Sequence, residues 1–152
     1  MPSGRNDEHD VKAVVDNNLI VSGLLWNGPP SRLMEAVRDG RVQLAFSLSL
    51  YEELADVLHR PKFAGRFARR GATPASVLAT VMAVAEMVVP DPLSMPPSLR
   101  DPDDLSVLEC AVATGAEAII TGDKDLLTLK EFQGILIMKV RDALEKLGLP
   151  AE

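Results

Sequence analysis

Short apolar runs that end in polar residues alternate along this chain with stretches of helical periodicity, and that alternation limits the fold more than any other feature. KAVVDNN, VQLAFS, EAIITG and GILIM each hold a run of three to five mostly apolar residues closed by polar or turn-forming ones. Such runs are too short for core helices and lack the polar/apolar alternation of a strand with one wet face. They fit strands of a parallel sheet buried on both sides. The expected architecture is therefore α/β: a central, mostly parallel sheet of about four to five strands, with helices on both faces.

The helical stretches are delimited by local chemistry. LIVSGLLW follows Asn17 and Asn18, either of which can cap it, and stops at Asn27-Gly28-Pro29-Pro30. Ser31 caps a second helix running to about Asp39, closed by Gly40. Tyr51, Leu54, Ala55 and Leu58 recur at helical spacing over Ser49 to Leu58, before Pro61 interrupts. Thr73-Pro74 opens a long apolar helix predicted to continue to about Met87, and four prolines between Pro90 and Pro97 make a rigid loop. Asp101-Pro102-Asp103-Asp104 starts a helix whose Leu108, Ala111 and Val112 face the core, ending at Gly115. A tail helix spans about Val140 to Leu147.

Composition excludes several classes of function. With 152 residues, 47% hydrophobic and 25% charged, the chain suits one ordinary domain, expected over 11–152 behind a flexible tail at 1–10. Aromatic residues make up only 4%, too few for a face that stacks bases. The single cysteine, Cys110, lies in an apolar helical stretch and suits a buried thiol in a reducing compartment. His9 and His59 offer no pair at zinc-ligand spacing. No apolar run reaches the roughly 18 residues of a membrane span, and the first ten residues lack the apolar core of a secretory signal, so a cytoplasmic location is expected. The net charge of −6 is the wrong sign for coating nucleic acid. Any contact with a polyanion must then be local or assisted by a metal.

Ligands of open parallel sheets gather beyond the carboxyl ends of the strands. Asp16 follows the first strand, Glu53 lies on the helix after the second, Asp104 stands at a helix start, and Asp123 follows Thr121-Gly122. Four carboxylates in one place repel unless one is protonated or a cation neutralises them. Hard divalent ions such as Mg2+ or Mn2+ take oxygen ligands of this kind, and a carboxylate-held metal suits phosphodiester hydrolysis. Each residue has a plainer use as well: Asp16 and Asp123 as helix caps, Glu53 as a solvated side chain interchangeable with Glu52, Asp101 and Asp103 as acids facing a helix dipole.

VVDNNLIVSGLL resembles the opening strand and helix of PIN domains, YEELADVL resembles the helix carrying that family's glutamate, and RDPDDLSVLECAVATGAEAIITGDKDLL resembles its third and fourth acidic elements in the toxin-like group. The resemblance runs from about Val11 to Met138. It implies a PIN-like three-layer fold and a metal-dependent endoribonuclease, a VapC-like toxin of a toxin–antitoxin pair. Catalytic roles fall to Asp16, Glu53, Asp104 and Asp123, metal ligation to Asp16, Asp104 and Asp123, and support to Asn18 and Asp125. The cofactor would be Mg2+ or Mn2+; the partners would be RNA, a protein antitoxin and a second copy in a homodimer, with no membrane. The chain departs from the family pattern at Asn17, where a threonine or serine is usual, and at Leu105, where an acid or amide often stands. Those departures sustain an alternative, a catalytically weak PIN-like module that binds RNA or a partner. Arg60, Lys62, Arg66, Arg69 and Arg70 form a cationic stretch suited to RNA phosphates or to an acidic stretch of an antitoxin, or simply to solvent.

Overall fold

The computed structural model describes residues 11–150; the predicted tail at 1–10 lies outside the described residues. The chain runs β1 (Val11–Val15), α1 (Asn17–Leu25), α2 (Pro29–Arg38), β2 (Val42–Ser47), α3 (Leu48–Leu58), a 3-10 turn (Pro61–Phe63), α4 (Ala64–Arg70) and α5 (Pro74–Val84). It continues through β3 (Ala85–Val88), α6 (Pro102–Thr114), β4 (Ala118–Ile120), α7 (Lys124–Leu129), β5 (Glu131–Phe132), β6 (Ile135–Met138) and α8 (Val140–Lys146).

The strands form a mixed sheet in the order β3-β2-β1-β4-β6-β5, parallel except for β5. It has six strands rather than four or five. Both additions lie at edges. β3 occupies residues expected to finish the long helix: α5 ends at Val84 and the chain passes into an extended strand without a loop. No glycine or proline marks that boundary, and pairing of Ala85–Val88 with Leu44–Ser47 prevails over an apolar pattern that also suits a helix. β5 is only two residues long and turns back on β6 through Gln133 and Gly134, both at positive φ as a tight hairpin requires.

Three starts differ from expectation. Asp16 caps α1 in place of Asn17 or Asn18, which is the plainer of its two readings, accepting from the Asn18 amide at 3.1 Å. Pro29 and Pro30 open α2 instead of breaking the chain before Ser31, since a first-turn proline sacrifices no helical hydrogen bond. Ser47 caps α3, accepting from Leu50 N at 3.3 Å.

The buried side chains form one connected core. In β1 and β2, Ala13, Val14, Val15, Leu44, Ala45 and Phe46 are all buried, as in a sheet covered on both sides. α8 lies over the face that presents Val11, Ala118, Ile120 and Met138. α6 covers the opposite face, packing on β1, β2 and β4 and bringing Cys110 to Ser47. Within α1 the chain approaches α2 closely at Gly23. A Cβ there would come within 2.5 Å of both Met34 Cγ and Pro30 O, so the two helices meet across a bare backbone.

Candidate metal centre

The sheet order reverses between β1 and β4: from β1 the chain winds toward β2 and β3, then crosses to β4 and β6. Strand-end loops diverge at such a switch point and leave a crevice. An open hollow there is lined by Asp16, Asn18, Leu19, Ser22, Gly122 and Asp123.

Asp16 and Asp123 are tied across the crevice by Thr121. The Thr121 hydroxyl donates to Asp16 Oδ2 at 2.8 Å and accepts from the Asp123 amide at 2.9 Å. Asp123 caps α7, its Oδ2 accepting from Leu126 N at 3.2 Å. Capping and site membership therefore coexist in both aspartates. Asp101 is the local cap of α6, accepting from Asp103 N at 2.9 Å, and this turns Asp104 inward. Asp104 is only 8% exposed.

Asp104, Asp123 and Asp125 can each offer an oxygen such that all three lie within 4.8 Å of one another, the one such acidic group among the described residues. Asp125 thus enters the compact cluster, while Asp16, expected as a ligand, stands beside it through Thr121 and acts on Asp104 by charge. Burial first, then the hydrogen bond and charge of Asp123, push the Asp104 carboxyl up to about 8. Without a cation, burial and the neighbouring Asp123 carboxylate favour the protonated form of Asp104.

Glu53 reaches the same centre from α3. Its Oε1 accepts from Asn17 Nδ2 at 2.6 Å, and the same amide nitrogen donates to Leu50 O at 2.9 Å. Burial raises the Glu53 carboxyl to about 7; the Asn17 bond opposes this, and Asp103 and Asp16 add to it. All four expected carboxylates, with Asn18 and Asp125, are therefore brought to one end of the sheet. Asn17, Thr121 and Asp103 also belong there without having been singled out as site members. Only the position of Thr121, at a strand end two residues before Asp123, could have pointed to it.

The donors are hard carboxylate oxygens, and close approach of three of them is costly unless a proton or a cation intervenes. The set fits a divalent ion of the Mg2+ or Mn2+ type. Cys110 plays no part: burial pushes its thiol up to about 12.

The cationic stretch lies elsewhere and is partly engaged within the molecule. Arg66 Nε donates to Leu25 O at 2.5 Å, with its guanidinium over the Trp26 ring at 5.1 Å. Arg60 pairs with Asp56 at 3.6 Å, and the Lys62 ammonium stands 5.1 Å from the Phe63 ring centre. Arg69 and Arg70 are exposed and form no salt bridge among the described residues.

The chain is an α/β protein whose mostly parallel sheet gathers carboxylates at its switch point, beyond the carboxyl edge. The sequence model of the PIN domain matches residues 12–125, a segment holding every carboxylate of the centre, and the chain belongs to the PIN-domain family. Among solved structures, a chain of VapBC2 from Rickettsia felis, bound to a DNA fragment from their promoter, superposes with a TM-score of 0.53 at 12% identity. That match covers 84% of this chain and 98% of that one, and shows a shared fold. No curated protein matches the chain in sequence. Among the described residues, no helix is long and apolar enough to cross a membrane.

Proposed function

We propose that residues 11–152 form one catalytic domain, a metal-dependent endoribonuclease that hydrolyses RNA phosphodiester bonds as the VapC-like toxin of a toxin–antitoxin pair. The convergence of Asp104, Asp123 and Asp125 within 4.8 Å carries this reading, since it gathers a hard-cation donor set in the family's acidic cleft. Asp104 and Asp123, with Asp16 or Asp125, would hold Mg2+ or Mn2+. When bound, the cation supplies charge neutralisation at the phosphate and activation of water.

The chain's own residues do the rest. Thr121 fixes the Asp16 carboxylate, leaving its Oδ1 on the Asn18 amide. Asn17 holds Glu53 at the edge of the centre, where a carboxyl raised to about 7 can accept or return a proton near neutral pH. Arg69 and Arg70 are the part of the cationic stretch left for RNA phosphates or an acidic antitoxin segment. A cytoplasmic location, an antitoxin partner and a homodimer belong to the same proposal. The VapBC2 neighbour supports the antitoxin, and the buried Cys110 supports a reducing compartment.

The test is cleavage of a mixed-sequence single-stranded RNA by the purified protein with Mn2+, with Mg2+ and with EDTA. Cleavage is expected with metal, absent in EDTA, and lowered on the order of 100-fold or more by Asp16→Asn or Asp123→Asn. Full activity in either variant would overturn the assignment.

A further inference from the structure

We propose that Lys139 is a phosphate-binding residue of this centre, holding the backbone of single-stranded RNA over the carboxylates; the inference rests on the ribonuclease reading above. Parallel register aligns Val15 with Ile120, and Ile120 with Met138. The ladder extends one residue further, because Asp16 N donates to Ile120 O at 2.9 Å and Thr121 N to Met138 O at 3.0 Å. Asp16, Thr121 and Lys139 therefore form one row across three adjacent strands, just beyond the carboxyl edge. Alternation along the strands sets that row on the side of Val14, Ile119 and Ile137. That is the face covered by α6, whose first turn carries Asp104.

Two strand spacings put the Lys139 Cα roughly 10 Å from that of Asp16, within reach of a long side chain for a phosphate lying between them. Lys139 is exposed, and its side chain has no ion pair or hydrogen bond among the described residues. Arg66 of the cationic stretch is poorly placed for the same task. It is anchored at the far end of the nine-residue α1, about 13 Å from Asp16 along the helix. In a chain of net charge −6, a phosphate approaching this acidic edge is favoured by a nearby cation; Lys139 stands on the row itself, while exposed Lys124 opens α7 between Asp123 and Asp125.

The experiment measures binding of a labelled, mixed-sequence single-stranded RNA by fluorescence anisotropy across a salt series. Ca2+ replaces Mn2+, the RNA is checked for integrity, and cleavage with Mn2+ is assayed separately. Lys139→Gln is expected to weaken binding about 5- to 10-fold and to flatten the salt dependence by about 0.7, the contribution of one phosphate on a single strand. Lys139→Arg restores both, while the thermal midpoint and Mn2+ affinity of Lys139→Gln stay at or above wild type. A wild-type salt slope and affinity in Lys139→Gln overturn the inference, even if the protein cleaves RNA. Binding that depends on Lys139 without metal-dependent cleavage overturns the ribonuclease reading and leaves this one standing. A wild-type protein that binds no RNA overturns it outright.

Discussion

Asn17 shows how one side chain can serve two masters in the centre. It is 2% exposed, and its amide nitrogen joins the Leu50 carbonyl to the Glu53 carboxylate, so it fixes both the start of α3 and the acid that α3 presents. Asn17→Ala removes the amide that ties Glu53 to the start of α3 and frees Glu53 to turn away. Destabilisation of about 1–3 kcal/mol is expected in urea denaturation, together with a loss of cleavage larger than unfolding explains. An unchanged midpoint and rate would show the tether to be idle. The sequence marked Asn17 only as a candidate helix cap and a departure from a hydroxyl residue, because a pattern read along the chain cannot reveal a partner 36 positions away. Asp16, Asp104 and Asp123 were legible because each follows a strand or opens a helix. Asp103 was read only as a first-turn acid, although it reaches Glu53.

At the scale of elements, the α1–α2 contact depends on the absence of a side chain at Gly23. Gly23→Ala is expected to destabilise the fold by about 1–3 kcal/mol despite the better helix propensity of alanine, since Pro30 backbone cannot retreat as a flexible side chain would. Chemical denaturation checks this, and a stabilised variant would contradict the close approach. Such crossings leave no trace in periodicity. Four of the five parallel strands, β1, β2, β4 and β6, were legible as short apolar runs, each followed by a helix. β3 and β5 were not. One lacks a turn signal where α5 ends, and the other is too short to show alternation; both exist because a neighbouring strand offers unpaired backbone groups.

For the molecule as a whole, the acidic centre ties stability to pH. Asp104 and Glu53 rise from ordinary values of 3.8 and 4.5 to about 8 and about 7, so the folded chain holds their protons more tightly than the unfolded chain. Their contribution to stability is full below the ordinary values and is lost as pH climbs toward 8. In EDTA, wild type is therefore expected to lose ground relative to Asp104→Asn between pH 4 and 8, as followed by thermal melting. Mn2+, which needs the deprotonated carboxylates, should raise the wild-type midpoint more at pH 8 than at pH 6. Equal shifts at both pH values would separate the cation from Asp104 and Glu53.

The hydroxyl of Thr121 joins Asp16 to a loop 105 positions later in the chain. A polypeptide still being synthesised has Asp16 and Glu53 from early on, but it has neither the hydroxyl that orients the first nor Asp123 until the fourth strand has been made and laid beside the first. The centre is complete only when β4 lies beside β1, so any agent that keeps the two apart would disassemble it without touching an acidic residue.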